Sequence, residues 1–273
     1  MSQPYLIAVD LDGTLLKDDK TVSIQTKKVL KRAMEHGHHV VISTGRPYRG
    51  SEQFYHELDL TTPIINFNGA FIHHPKNPGW GRFHSPMDMD VAQSIIETCL
   101  EFEVKNVIAE VLDDVYLHYE DEFIINSFLI DKTNLNIGNL IQVLPHNPTS
   151  ILVRPNDHHV KELRELLKAK HAEVIDHRVW GAPWNIIEVV KAGLNKAVGL
   201  KRVAESLNIP QERVIAFGDE DNDLEMIEYA GHGIAMGNAI PELKNIANGI
   251  TKSNEDDGIA YFLEDLLALK ESV

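Results

Sequence analysis

Two aspartates, Asp10 and Asp12, end the apolar run of "YLIAVDLDGTLLKDD", Tyr5 to Asp19. Carboxylates so placed can attack an electrophile, exchange protons with a substrate, or ligate a hard cation. Two residues apart on an extended strand, they can point to the same side. Three other polar clusters also stand where apolar runs stop: Ser43 with Thr44, Asn66 with Asn68, and Asp219 in "AFGDEDNDLEM". Ligands of an open parallel sheet bind at the carboxyl ends of its strands, so clusters from distant parts of the chain are expected to meet in one crevice. Each cluster taken singly fits an ordinary strand-to-loop turn equally well, since Asp, Asn, Ser and Gly are common there. Their joint occurrence makes that reading much weaker.

The elements that must carry these groups alternate. "YLIAVDL", a helix near Ser23 to His36, "HVVIST", a helix near Tyr48 to Leu58 and "PIINFN" follow one another through the first 70 residues. Continuous apolar strands separated by helices predict a parallel sheet covered on both faces. The same grammar returns after Lys191, where Leu200, Val203, Ala204 and Leu207 keep helical spacing and "RVIAFGD", "HGIAMG" and "NGITKS" read as strands. Gly231 can end one short helix there and Pro241 can open another. The middle is different: a helix near Asp88 to Phe102, "NVIAEVL" and "VYLHYE" around an Asp113-Asp114 turn, "TSILVRP", a helix near Asp157 to Lys170, then "AEVIDHRVW" and "NIIEVV". That order predicts a mostly antiparallel sheet with helices on one face. Pro- and Gly-rich "HHPKNPGWGRFHSP" and "VKAGLNK" mark its borders. The expected fold is therefore α/β, with a Rossmann-like parallel sheet core over 1–83 and 190–273, helices on both faces, and an inserted α+β domain over 84–189.

A chain of 273 residues can bury a large core, and 43% hydrophobic with 25% charged residues is ordinary globular usage. The formal net charge of −15 opposes binding to nucleic acid or an anionic membrane, while a few local cations can still hold a small phosphorylated ligand. The single cysteine, Cys99, has no internal disulfide partner and is read as a buried helical thiol, which fits a reducing, cytoplasmic address. Neither a run of roughly 20 apolar residues nor a signal-peptide pattern is present.

The clusters and their order give the chain a resemblance to the haloacid dehalogenase-like phosphatases, specifically the Cof-type subfamily with an α/β cap. "DLDGT" at Asp10 to Thr14, "STGRP" at Ser43 to Pro47, Lys196 in "GLNK" and "GDEDND" at Gly218 to Asp223 resemble its four motifs, and "NGA" at Asn68 to Ala70 fits as well. Ala197 stands where Gly is usual, and Glu220 and Asp221 make the fourth motif unusually acidic. The resemblance implies Asp10 as nucleophile, forming an aspartyl-phosphate, and Asp12 as general acid and base with its backbone carbonyl on the metal. It implies Mg²⁺ held by Asp10, Asp12 and Asp219, with Asp223 orienting metal-bound water. Lys196 is expected beside the transferring phosphoryl group, and Ser43, Thr44, Asn222 and the Leu11 amide on its non-transferring oxygens. Residue chemistry supports this: a carboxylate approaching a phosphate dianion is repelled by about 4 kcal/mol per unit pair at 4 Å and an effective dielectric near 20, so a cation must offset it. The general-acid role of Asp12 needs a raised pKa.

The expected activity is a Mg²⁺-dependent phosphatase acting on a small phosphate ester. Sugar phosphates and flavin-pathway phosphates such as 5-amino-6-(5-phospho-D-ribitylamino)uracil are the implied substrates, the last suggested by "LDLTTPIINFNGAFIHHP". A phosphotransferase or sugar-phosphate mutase, and a non-enzymatic phospho-Asp module, are the competing readings; Asp12 argues against the module, which gains nothing from a built-in acid for hydrolysis. A dehalogenase would need neither the acidic set nor Asp12. The pairs His38-His39, His73-His74 and His158-His159 are not expected to share a metal, because adjacent residues face apart. Trp180 and Trp184 suit substrate stacking or packing equally, Arg46 reads as a structural or entrance residue, and "NEDDGIA" reads as a solvated loop with Asp257 near a helix start.

Overall fold

A computed structural model describes residues 3–127, 132–156, 159–171, 175–180 and 185–269. The chain begins with β1 (Leu6–Val9), α1 (Ile24–Glu35), β2 (His39–Ile42), α2 (Glu52–Glu57), β3 (Ile64–Asn66), β4 (Phe71–His73) and β5 (Arg82–His84). The middle carries α3 (Met89–Glu101), β6 (Asn106–Val111), β7 (Asp114–Leu117), α4 (Glu122–Ser127), β8 (Leu135–Ile137), α5 (Leu140–Val143), β9 (Ser150–Arg154), α6 (Val160–His171), β10 (Ile175–Trp180) and β11 (Ile186–Lys191). It ends with α7 (Lys196–Ser206), β12 (Val214–Gly218), α8 (Leu224–Tyr229), β13 (His232–Ala235), α9 (Pro241–Ile246), β14 (Gly249–Ile250) and α10 (Gly258–Leu266).

Two compact units result: Met1–Arg46 with Ser51–Arg82 and Asn195–Val273, and Phe83–Leu194 with Pro47–Gly50. The borders expected at 83/84 and 189/190 thus move to 82/83 and 194/195. The excursion of residues 47–50 was not foreseen, and it splits the expected helix over 48–58 into a 3₁₀ turn at Tyr48–Gly50 and the short α2. Arg49 explains the excursion. Its guanidinium pairs with the buried Glu110 carboxylate, and its backbone N–H donates to Asp113 Oδ1 at 2.8 Å.

In the first unit a fully parallel sheet runs β14-β13-β12-β1-β2. β1 and β12 are buried along their whole length, the burial that continuous Leu, Ile, Ala and Val runs require when both sheet faces are covered. α1 is set by its N-cap, where Ser23 Oγ accepts from the Thr26 N–H, and it buries Val29, Leu30 and Ala33 on one stripe. The "NEDDGIA" stretch is more than solvated loop. Asn254 is buried, and the Asp257 carboxylate turns away from α10 to accept hydrogen bonds from Ser23 Oγ and Thr26 Oγ1.

The second unit holds a sheet of order β10-β11-β9-β6-β7-β8, antiparallel except where β7 meets β8. Its hairpin pairs Val111 with Asp114, so the turn is Leu112-Asp113, shifted by one from expectation, with Leu112 in the left-handed region at φ 56°. Val107, Ala109, Ile151 and Val153 pack with Ile95, Ile96 and Cys99 of α3 and Leu163 and Leu167 of α6. Burial pushes the Cys99 thiol up to about 12. Ile108, Leu117 and Leu152 face the other way and meet Ile124 of α4, so helices contribute to both faces rather than one.

Candidate active site

The direction of winding changes at β1. From it the chain passes to β2 on one side, while β12 returns on the other, so the carboxyl ends of β1 and β12 form the switch point where such sheets bind ligands. Asp10 follows β1 and Asp219 follows β12. The Asp10 N–H donates to Phe217 O at 3.2 Å, and the Ser43 N–H donates to Val9 O at 2.9 Å. Glycine is required at the bend after Asp12. Gly13 has φ +76°, and a Cβ there would overlap the Asp219 carboxylate.

Lys196 opens α7 behind the N-cap Asn195 and is fully buried. Its ammonium donates to Asp10 Oδ1 at 2.6 Å and to Asp223 Oδ1 at 2.7 Å. Asp223 Oδ2 accepts from the backbone N–H groups of Asp219, at 2.9 Å, and Glu220, at 3.2 Å. The expected duty of Asp223, orienting water, therefore falls to a carboxylate already engaged by an ammonium and two amides. Thr14 Oγ1 donates to Asp219 Oδ1 at 2.8 Å. One carboxylate oxygen from each of Asp10, Asp219 and Asp223 lies within 4.8 Å of the others.

Charge in this cluster is under-compensated. Burial, and then the neighbouring Asp223 and Asp219, push the Asp10 pKa well above the carboxylate range against the pull of Lys196. Burial and Asp223 likewise push Asp219 up to about 7, over the lowering effect of Thr14 and Lys196. Burial would lower Lys196, but the charges of Asp10 and Asp223 outweigh it and raise its pKa, so the ammonium stays protonated. Three buried carboxylates against one ammonium, all donors being hard oxygens, is a set that suits Mg²⁺.

Asp12 lives in different surroundings. Arg46 grips it with a fork, Nε to Oδ2 and Nη2 to Oδ1 at 2.7 Å each, and Lys20 Nζ reaches Oδ1 at 2.8 Å. Burial works to raise its pKa, yet the hydrogen bonds and charges of Arg46 and then Lys20 prevail and lower it to about 2. The raised value that proton donation needs is thus absent in this arrangement. Leu11, between the two aspartates, buries its side chain. Ser43 Oγ is buried without a hydrogen-bond partner among the described residues, and Thr44 Oγ1 accepts from the Arg46 N–H at 3.1 Å. Asn222 Nδ2 donates to Asn68 Oδ1 at 3.1 Å, whereas Asn66 turns to Arg46 O and Ser51 Oγ.

Sequence reasoning did not assign the Arg46 fork, Lys20, the Thr14 bond or Asn238, whose amide lies 3.5 Å from Asp219 Oδ2. Asn238 could have been found, because it too follows a strand of the parallel sheet, in "HGIAMGN". Trp184, His158 and the Trp180 side chain lie outside the described residues.

Comparison with known proteins identifies relatives along nearly the whole chain. The profile of the haloacid dehalogenase-like hydrolases matches residues 7–263. The chain is 52% identical to the 5-amino-6-(5-phospho-D-ribitylamino)uracil phosphatase YitU of Bacillus subtilis, over 98% of this chain and 99% of that one. It is 32% identical to YwtE of the same organism, which bears the same enzyme name, over 96% and 98%. The fold matches the crystal structure of a haloacid dehalogenase-like hydrolase from Bacteroides thetaiotaomicron with a TM-score of 0.83 at 25% identity, covering 97% of this chain and all of that one. With its acidic switch point, its buried lysine and a profile match from the first strand to the last helix, the chain belongs to the haloacid dehalogenase-like hydrolases.

Proposed function

We propose that this phosphatase hydrolyses 5-amino-6-(5-phospho-D-ribitylamino)uracil, or a small phosphate ester of that kind, with Mg²⁺ and through an aspartyl-phosphate on Asp10, in the cytoplasm. The observation that carries the reading is the convergence of Asp10, Asp219 and Asp223 around one buried ammonium. The 52% identity to YitU supports the substrate, and the single buried thiol supports the compartment.

Asp10 attacks phosphorus while its other contacts are fixed by Lys196, the P–O bond to the alcohol breaks, and the alcohol takes a proton from Asp12. Water then attacks the aspartyl-phosphate, Asp12 takes its proton, and inorganic phosphate leaves. Mg²⁺ would be held by Asp10, Asp219 and the Asp12 carbonyl, and when bound would supply the positive charge that offsets repulsion between carboxylate and phosphate. Gripped by Arg46 and Lys20, Asp12 is a carboxylate, the form that accepts the proton from water; to donate one it must first leave the fork and take up a proton from solvent. Ser43, Thr44, Asn222 and the Leu11 amide hold the non-transferring oxygens.

The test is phosphate release from 5-amino-6-(5-phospho-D-ribitylamino)uracil, sugar phosphates and flavin mononucleotide, with and without Mg²⁺. The first compound is expected to be preferred and the activity to need the cation. Full activity in Asp10→Asn would overturn the mechanism, and equal rates on every ester would overturn the substrate.

A further inference from the structure

Asp219 is held at the site by contacts from two separate loops. Its strand ends at Gly218, and its placement depends on contacts made by other loops. Thr14 fixes one oxygen. The second, Oδ2, faces the Asn238 amide, which stands 3.5 Å from it and donates at 2.8 Å to the carbonyl of Gly13, the residue packed against Asp219. Asn238 is itself held. Its Oδ1 accepts from the Asn254 N–H at 3.0 Å, and the buried Asn254 side chain donates to Leu16 O at 3.0 Å and Asp18 Oδ1 at 3.3 Å. Glu255 continues the contact, accepting from the Asp18 N–H at 2.7 Å and, through its carbonyl, from Lys17 Nζ at 3.0 Å.

We propose that Asn238 is a positioning residue that sets Asp219 and the Gly13 turn at the separation a divalent cation needs, and that Asn254 in the C-terminal loop braces it. Two asparagine amides thus join three separate stretches of chain, 13–18, 237–238 and 254–255, behind one cation-binding carboxylate. The Asn238 amide uses its donor on Gly13 and its acceptor on the Asn254 backbone N–H, so it cannot rotate without losing both contacts, while the Asn254 side chain ties that same loop to Leu16 and Asp18 through its donor. Groups that orient a metal ligand commonly influence affinity about 10- to 100-fold. The inference rests on the reading of Asp10 and Asp219 as Mg²⁺ ligands.

The experiment is calorimetric titration of Mg²⁺ into the full chain without substrate, for wild type, Asn238→Ala, Asn254→Ala and the matched control Asn248→Ala, which removes an acceptor of the Gly233 N–H elsewhere in the same sheet. The expected result is about a tenfold rise in Kd for the first two variants and none for the control. Turnover should recover at saturating Mg²⁺ with substrate KM unchanged, which a general loss of structure would not produce. Asn238 is exposed, so its variant folds even if the buried Asn254 variant does not. Wild-type affinity in Asn238→Ala overturns the inference alone. Failure of the wild-type chain to bind Mg²⁺ overturns the inference together with the reading beneath it.

Discussion

Asp10 and Asp12 are neighbours but one in sequence and opposites in environment. The first is buried against an ammonium and two further carboxylates, and its pKa rises; the second is half-exposed between two cations, and its pKa falls to about 2. Spacing along the chain does not assign charge state. That comes from residues far away in the chain: Lys196 and Asp223 for one, Arg46 for the other. A pair of like groups pushed apart by environment is the usual basis for dividing nucleophile from acid and base.

Removing the groups that create this contrast should have graded effects. Asp10→Asn deletes the attacking oxygen, and kcat is expected to fall by about 10⁴-fold or more in single-turnover measurements. Lys196→Met leaves Asp10 and Asp223 buried without their ammonium. Breaking a buried pair in this way costs about 3–5 kcal/mol, to be read from the urea midpoint, and Mg²⁺ should recover part of it. Arg46→Ala frees Asp12 at a half-exposed position, so stability should change by about 1 kcal/mol or less while the acid limb of the pH–rate profile moves up.

The smallest expected effect is a pH trend in the metal-free chain. Asp10 and Asp219 bind protons more tightly folded than unfolded, so their contribution is full below the ordinary carboxylate pKa and is lost as pH rises from about 4 to about 7, where Asp219 titrates. Melting temperature should therefore decline across that window, and Mg²⁺ should raise it more at pH 8 than at pH 5.5. Lys196, whose pKa is also raised, loses its contribution only above the ordinary lysine range and leaves this window undisturbed. A flat profile would mean that the acidic cluster is better compensated than its geometry implies.

Much of the first unit was legible because its signals are local. Continuous apolar strands, Ser23 at a helix start and polar residues at strand ends each report burial or capping within a few positions. Asp10 and Asp219 were paired through the resemblance of the first and fourth motifs to a known family, and the structure sets the two motifs at the ends of adjoining strands. The Arg46 fork was not legible, since an arginine after a turn reads equally as surface charge. Nor was the Leu112 turn, where a leucine takes the left-handed backbone that usually signals Asn, Asp or Gly. The transfer of Pro47–Gly50 to the second unit depends on Glu110, some sixty positions away, and no local pattern announces it.

Cys99 gives the protein an experimental convenience. Its thiol sits at zero exposure in the helix-packed core of the second unit and is pushed up to about 12, so at neutral pH almost no thiolate is available to alkylating dyes. Fluorophores or spin labels can be attached at cysteines introduced elsewhere without first stripping the native one.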